Sequence, residues 1–127
     1  MKKEKKFSVM PSQEKVQLLA KWLDEKQGTD IVIMDVAGMS SVTDMTMVVS
    51  ARGLKHAQAL ADAVLARSAE SSIEFLSMEG YQTGEWILMD LNDVLIHIFQ
   101  SELREFYNIE GMWSEARRIE PDIEPNN

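Results

Sequence analysis

The chain has 127 residues, enough for one domain with its own core and too few for a second. Its 13 Lys and Arg against 21 Asp and Glu give a net charge of −8, which argues against a surface built to neutralise many phosphates and so against non-specific nucleic-acid binding. With no cysteine it can form no disulfide, thiolate nucleophile or Cys-based metal centre, and a reducing compartment is expected.

The start, Lys2-Lys3-Glu4-Lys5-Lys6, carries +3 but is not followed by the apolar stretch of an export signal, so residues 1–11 are expected to form a flexible basic N-terminus. No apolar run approaches the length of a membrane span, and the chain reads as soluble and cytoplasmic. Residues 110–127 carry −3, which leaves −8 on residues 7–109. The acidity therefore belongs to the folded body, where it suits a basic partner.

Ser12 is placed to cap a first helix, in which Val16, Leu19, Ala20 and Leu23 line one side and after which Gly28 marks the stop. Residues 31–36, mostly apolar between Gly28 and Gly38, read as a buried strand, and residues 45–50 as a second strand rich in β-branched side chains. Helical spacing returns over 54–69 through Ala57, Leu60, Ala61 and Val64, until Glu70-Ser71-Ser72 breaks it. A third strand over 73–78, a turn between Gly80 and Gly84, and two strands at 85–90 and 94–99 follow. Ser101 can cap a short helix carrying Leu103, Phe106 and Tyr107. Residues 114–127, with Pro121, Pro125 and several acids, are expected to be an acidic, disordered tail. Residues 12–113 then form a single α/β domain, a mixed sheet of about five strands with packed helices.

The last two strands carry the most information, because side chains alternate across a sheet and a two-residue turn at Asn92-Asp93 fixes the pairing. One face of that hairpin holds Ile87, Met89, Leu91, Val94, Ile96 and Ile98, and is wholly aliphatic. The other holds Trp86, Leu88, Asp90, Leu95, His97 and Phe99. Either a helix covers this second face, with Asp90 and His97 satisfying each other, or the face is open and its aromatic anchors and few polar groups form a docking surface. Spacing alone does not choose between the two.

For catalysis the residue types are poorly arranged. His97 beside Asp90 has no nucleophile elbow to serve, and His56 and His97 lie in no metal-ligand motif. The loop Gly38-Met39-Ser40-Ser41-Val42-Thr43-Asp44-Met45-Thr46 resembles the way a nucleotidyltransferase holds two magnesium ions, but Thr46 stands where a second carboxylate is needed. Asp44 is expected to cap or order its loop instead.

The segments Glu79-Gly80-Tyr81, Trp86-Ile87-Leu88-Met89-Asp90-Leu91-Asn92-Asp93-Val94-Leu95-Ile96-His97-Ile98-Phe99-Gln100, Arg104-Glu105-Phe106-Tyr107-Asn108-Ile109-Glu110 and Met112-Trp113 closely resemble the ribosomal silencing factor family, also called RsfS or Iojap-like. Asp30-Ile31-Val32, the Gly38, Ser40, Ser41 and Asp44 positions, and His56 with Ala61-Asp62 agree with it. The resemblance implies a nucleotidyltransferase-like fold without that activity. It further implies binding to the large ribosomal subunit through ribosomal protein fourteen, obstruction of small-subunit joining, and lowered translation when nutrients are scarce. Carried over by position, the docking surface falls on the hairpin at Trp86, Asp90 and Leu91; Leu88, Leu95 and His97 of the same hairpin are expected to surround the Trp86 anchor, with no catalytic residue, metal or cofactor. Two rival readings stand beside it. One is a residual nucleotidyltransferase using Asp44 and Asp90; the other is a self-associating module whose apolar face forms a homodimer when the ribosome is absent.

Overall fold

A computed structural model describes residues 10–123. The first helix, α1 (Ser12–Glu25), is capped by Pro11 rather than Ser12: the Pro11 carbonyl accepts the Glu14 and Lys15 N–H groups at 3.0 Å each, and no side chain takes part. Proline suits that position because its fixed φ already fits the entry to a helix. Val16, Leu19, Ala20 and Leu23 are all fully buried, as their spacing predicts. The helix stops in a left-handed turn at Gln27 (φ 67°), where the Gly28 N–H bonds back to the Leu23 carbonyl at 2.9 Å. Gly28 is required for space, since a Cβ there would stand 2.7 Å from Val49 Cγ2.

Six strands follow: β1 (Thr29–Asp35), β2 (Met45–Ala51), β3 (Ser77–Glu79), β4 (Trp86–Asp90), β5 (Val94–Gln100) and β6 (Arg117–Ile119), in the sheet order β3-β4-β5-β2-β1-β6. The sheet is mixed because β2 and β5 run parallel, whereas every other pair is antiparallel. Between β2 and β3 lies α2 (Leu54–Glu70), which packs beside α1 on one face of the sheet. There Ile33, Met47, Val49, Ile87, Met89, Ile96 and Ile98 meet the apolar sides of both helices and form the main core.

On the opposite face a smaller core gathers Met34, Val36, Val48 and Phe99 under Ile109 and Ala116. It is covered by the chain after β5, which turns through α3 (Ser101–Tyr107) and α4 (Ile109–Met112). Ser101 is not the cap of α3. Gln100 stands at that position, and the Ser101 hydroxyl donates instead to the Ala51 carbonyl at 3.1 Å, tying α3 to the end of β2.

The expected disordered tail is corrected by β6, which adds a sixth strand to the five anticipated. Ile119 pairs with Ile33 and Arg117 with Asp35, and the Arg117 guanidinium reaches the Asp35 carboxylate at 3.1 Å. Past the strand, Gln17 donates to the Glu120 carbonyl at 2.9 Å and accepts the Asp122 N–H at 2.7 Å, while Ile119 and Ile123 pack against the main core. A few apolar residues and side-chain anchors thus order a stretch whose composition is otherwise that of a solvated tail. The expectation of a flexible N-terminus falls on residues 1–9, which lie outside the described residues, as do 124–127. Met10 is partly buried against the core. The third strand is also shorter than the 73–78 expected. Ile73 ends the α2 turn, its N–H bonded to the Ser68 carbonyl at 2.8 Å, and pairing begins only at Ser77.

Candidate docking face

The β4–β5 hairpin has the register expected from its turn: Trp86 opposes Phe99, Leu88 opposes His97 and Asp90 opposes Leu95. Alternation therefore sets Trp86, Leu88, Asp90, Leu95, His97 and Phe99 on the face away from α1 and α2. That face is covered at one end and partly open at the other. Near α3, Phe99 is fully buried and His97 only 7% exposed. Toward the hairpin turn, Leu88, Asp90 and Leu95 are partly exposed, although β5 is flanked by β4 and β2 on its two sides. Leu95 is exposed from above the sheet, not from its edge.

Trp86 stands at the boundary between the two ends. It is partly buried, its ring stacked on Phe99 at a centroid distance of 5.0 Å and tilted against Tyr107 at 4.8 Å. Its indole Nε1 donates to His97 Nδ1 at 3.1 Å. An indole N–H can only donate, so Nδ1 must carry a lone pair, and the neutral imidazole holds its proton on Nε2. Burial pushes His97 down to about 4 from its ordinary 6.5. The donor aimed at Nδ1 acts in the same direction, because a second proton there would face the indole hydrogen.

Asp90 and His97 do not satisfy each other. An Asp90 carboxylate oxygen accepts the Asn92 N–H at 2.9 Å and shapes the turn. Asn92 takes φ 79°, a conformation asparagine tolerates well, and the Asp93 N–H reaches back to the Leu91 carbonyl at 3.1 Å. From the core side Lys15, only 8% exposed at its side chain, holds the Asp93 carboxylate at 2.5 Å. The Asp93 carbonyl accepts the Asp44 and Met45 N–H groups at 3.1 and 3.0 Å. Hairpin turn, first helix and the 38–44 loop are thereby locked together.

One expected docking residue is misplaced. Leu91 is fully buried among the residues of the main core, because it is one position out of phase with Asp90 and Leu88 and points at α1 and α2. Asp44 is also less central than expected: the Ser40 hydroxyl orders the loop, accepting the Val42 and Thr43 N–H groups at 3.1 and 3.4 Å. Among the described residues no group of three or more His, Asp or Glu is disposed to hold a metal ion. His56 bridges the end of α1 and the start of α2, with Nδ1 accepting the Arg52 N–H at 2.9 Å and Nε2 facing the Lys26 carbonyl at 2.8 Å.

Tyr107, 39% exposed, belongs to the face although sequence reasoning left it as a helix residue, and Phe106, 77% exposed, meets it edge-on. The available signal was the adjacent aromatic pair on a helix too short to bury both.

A family model described as RsfS, ribosomal silencing factor during starvation, matches residues 9–127. The chain is 32% identical to the ribosomal silencing factor RsfS of Halalkalibacterium halodurans over 111 residues, spanning 87% of this chain and 95% of that protein. With the RsfS of Haemophilus influenzae the identity is 35% over 99 residues, 78% of this chain and 97% of that one. The chloroplastic protein Iojap of Zea mays is 29% identical over 105 residues, 80% of this chain but 44% of that longer protein. A crystal structure from Chromobacterium violaceum superposes with a TM-score of 0.80 at 27% identity, covering 91% of this chain and 95% of the other. Another, from Bacillus halodurans, gives 0.75 at 31% identity, covering 85% and 98%. Among the described residues no helix is long and apolar enough to cross a membrane. With the matched family model reaching across nearly the whole sequence, the chain belongs to the RsfS family of ribosomal silencing factors.

Proposed function

We propose that this protein represses translation by binding the large ribosomal subunit through a basic surface of ribosomal protein fourteen, so that the small subunit cannot join. The site of action is the cytoplasm, and the mechanism is steric and needs no chemistry. Trp86 is the anchor, with Leu88, Asp90, Leu95 and His97 around it and Tyr107 at the border. The observation that carries the reading is the partial exposure of Leu95 on a central strand, on the same sheet face as the half-buried Trp86, a face that α1 and α2 leave free. Apolar anchors ringed by a few polar groups are what the centre of a protein interface requires. The net charge of −8 favours a basic protein partner and disfavours bare RNA.

Co-sedimentation with separated ribosomal subunits tests this. The wild-type chain is expected in the large-subunit fraction and not with the small subunit. Trp86→Ala should lose about 2–4 kcal/mol of that affinity. Because Trp86 also packs on Phe99 and Tyr107, the variant will be less stable, and Leu95→Arg, at a partly exposed position, serves as the second probe. A wild-type chain that stays in the supernatant, or two folded variants that sediment like wild type, would overturn the proposal.

A further inference from the structure

The short helix α3 buries none of its residues, yet it holds Tyr107 against Trp86. Seven residues of helix are marginal by themselves, and the partial burial of Leu103 against the smaller core leaves the exact seat of α3 to be fixed by further contacts. Two polar anchors supply them. At its first residue the Ser101 hydroxyl bonds the Ala51 carbonyl at 3.1 Å. One turn on, Arg104 makes a planar, two-pronged contact with Glu110, Nε to one oxygen at 3.0 Å and Nη2 to the other at 3.1 Å. Its remaining arm, Nη1, donates to Ser50 Oγ at 2.8 Å, and Ser50 sits on β2 and is itself buried.

This fork joins three pieces of chain: α3 itself, the α4 turn beyond the left-handed Asn108 (φ 49°), and the sheet. The Asn108 N–H returns to the Arg104 carbonyl at 2.9 Å, so the backbone that carries Tyr107 is closed between the anchored Arg104 and the capped turn. The Arg104 side chain is 11% exposed and that of Glu110 25%, so the pair is partly shielded from water, which strengthens a bidentate contact. The hydrogen bond from Arg104 holds the Glu110 carboxyl below the usual carboxylate range, so the pair stays charged at neutral pH.

We propose that Arg104 is the positioning residue of the docking face: by clamping Glu110 and Ser50 it fixes α3 so that Tyr107 caps Trp86, and the two rings meet the partner as one surface. This rests on the docking reading above for its consequence, but not for its geometry. Arg104 touches no partner itself and acts through Tyr107.

Two measurements separate these parts. The chain has three tryptophans, hence three indole N–H proton resonances, and the one lost in Trp86→Phe identifies Trp86. In Arg104→Ala that resonance should move toward the position it takes in Tyr107→Ala, because the same ring has left its side. Glu110→Gln, which keeps the shape but loses the charged fork, should move it in the same direction and carries the test if Arg104→Ala fails to fold. A resonance that stays at its wild-type position in the folded variants overturns the positioning role, whatever the ribosome does. In co-sedimentation, Arg104→Ala should weaken large-subunit binding on the order of tenfold, and the same change in a Tyr107→Ala background should add little. Full additivity of the two substitutions would overturn the claim that Arg104 acts through Tyr107. If the wild-type chain does not sediment with large subunits, the docking reading fails, and the resonance alone decides the positioning role.

Discussion

Acid should loosen the junction between Trp86 and His97 in a defined window. His97 is neutral in the folded protein down to about pH 4, whereas in the unfolded chain it takes up a proton near 6.5. Between those values the unfolded state binds more protons than the folded one, so stability falls as the pH falls. Above 6.5 the contribution is complete; below about 4 the folded state protonates too and the loss levels off. Each pH unit in the window is worth up to roughly 1.4 kcal/mol, and the whole interval about 3 kcal/mol. That is a large share of the stability of a typical domain, roughly 5–15 kcal/mol.

Carboxylates also titrate in this range, so the His97 part must be isolated by subtraction. His97→Asn is the control, because its amide oxygen can accept the indole N–H near the position of Nδ1 and does not titrate. Urea unfolding of both proteins at half-unit steps from pH 7.5 to 3.5 would give two stability curves. The wild-type curve is expected to fall toward the variant's, and then past it if the variant is well packed, by about 3 kcal/mol over the window. Indole N–H resonances followed over the same range should show Trp86 shifting near the lower end, where the acceptor is lost. Parallel curves through the window would refute the argument, and with it the assignment of Nδ1 as acceptor.

Leu91→Ala should lose about 2–5 kcal/mol in urea unfolding by opening a cavity beneath α1 and α2, while the folded fraction binds large subunits as wild type does; a selective binding defect would return Leu91 to the docking face. Ending the chain after Ala116 removes β6 together with the packing of Ile119 and Ile123. Thermal unfolding should record a loss of about 2 kcal/mol for two partly buried isoleucines, and an unchanged midpoint would mean that β6 adds nothing.

The hairpin was readable residue by residue because its determinants are local: strict alternation over 86–99 and a turn that asparagine can make. Alternation also assigned Leu91 to the aliphatic face, and that physical rule prevailed over the residue's place in the family pattern. What lay beyond the sequence was the cover on the second face. It comes from contacts between distant positions, such as Ser101 with Ala51 and Arg104 with Ser50, made by polar side chains whose partners no periodicity announces. The helix caps failed for a related reason. Ser12 and Ser101 have the right chemistry, but backbone geometry at Pro11 and Gln100 already starts those helices, which left the Ser101 hydroxyl for Ala51.

A repressor that works by occupying a surface needs a long residence time more than any reactive group, and residence time depends on how little must be ordered on binding. On the proposed docking reading, this face meets that requirement. Trp86 is held by two rings and by a hydrogen bond to a histidine of fixed tautomer, α3 is clamped by Arg104, and the hairpin turn is pinned through Asp93 to a lysine of the core. These anchors lie within the chain itself, so the surface is formed before the partner arrives and the side chains at its centre have little rotamer freedom left to lose. On the proposed reading the acidic body steers the encounter, and the fixed rings keep the complex together.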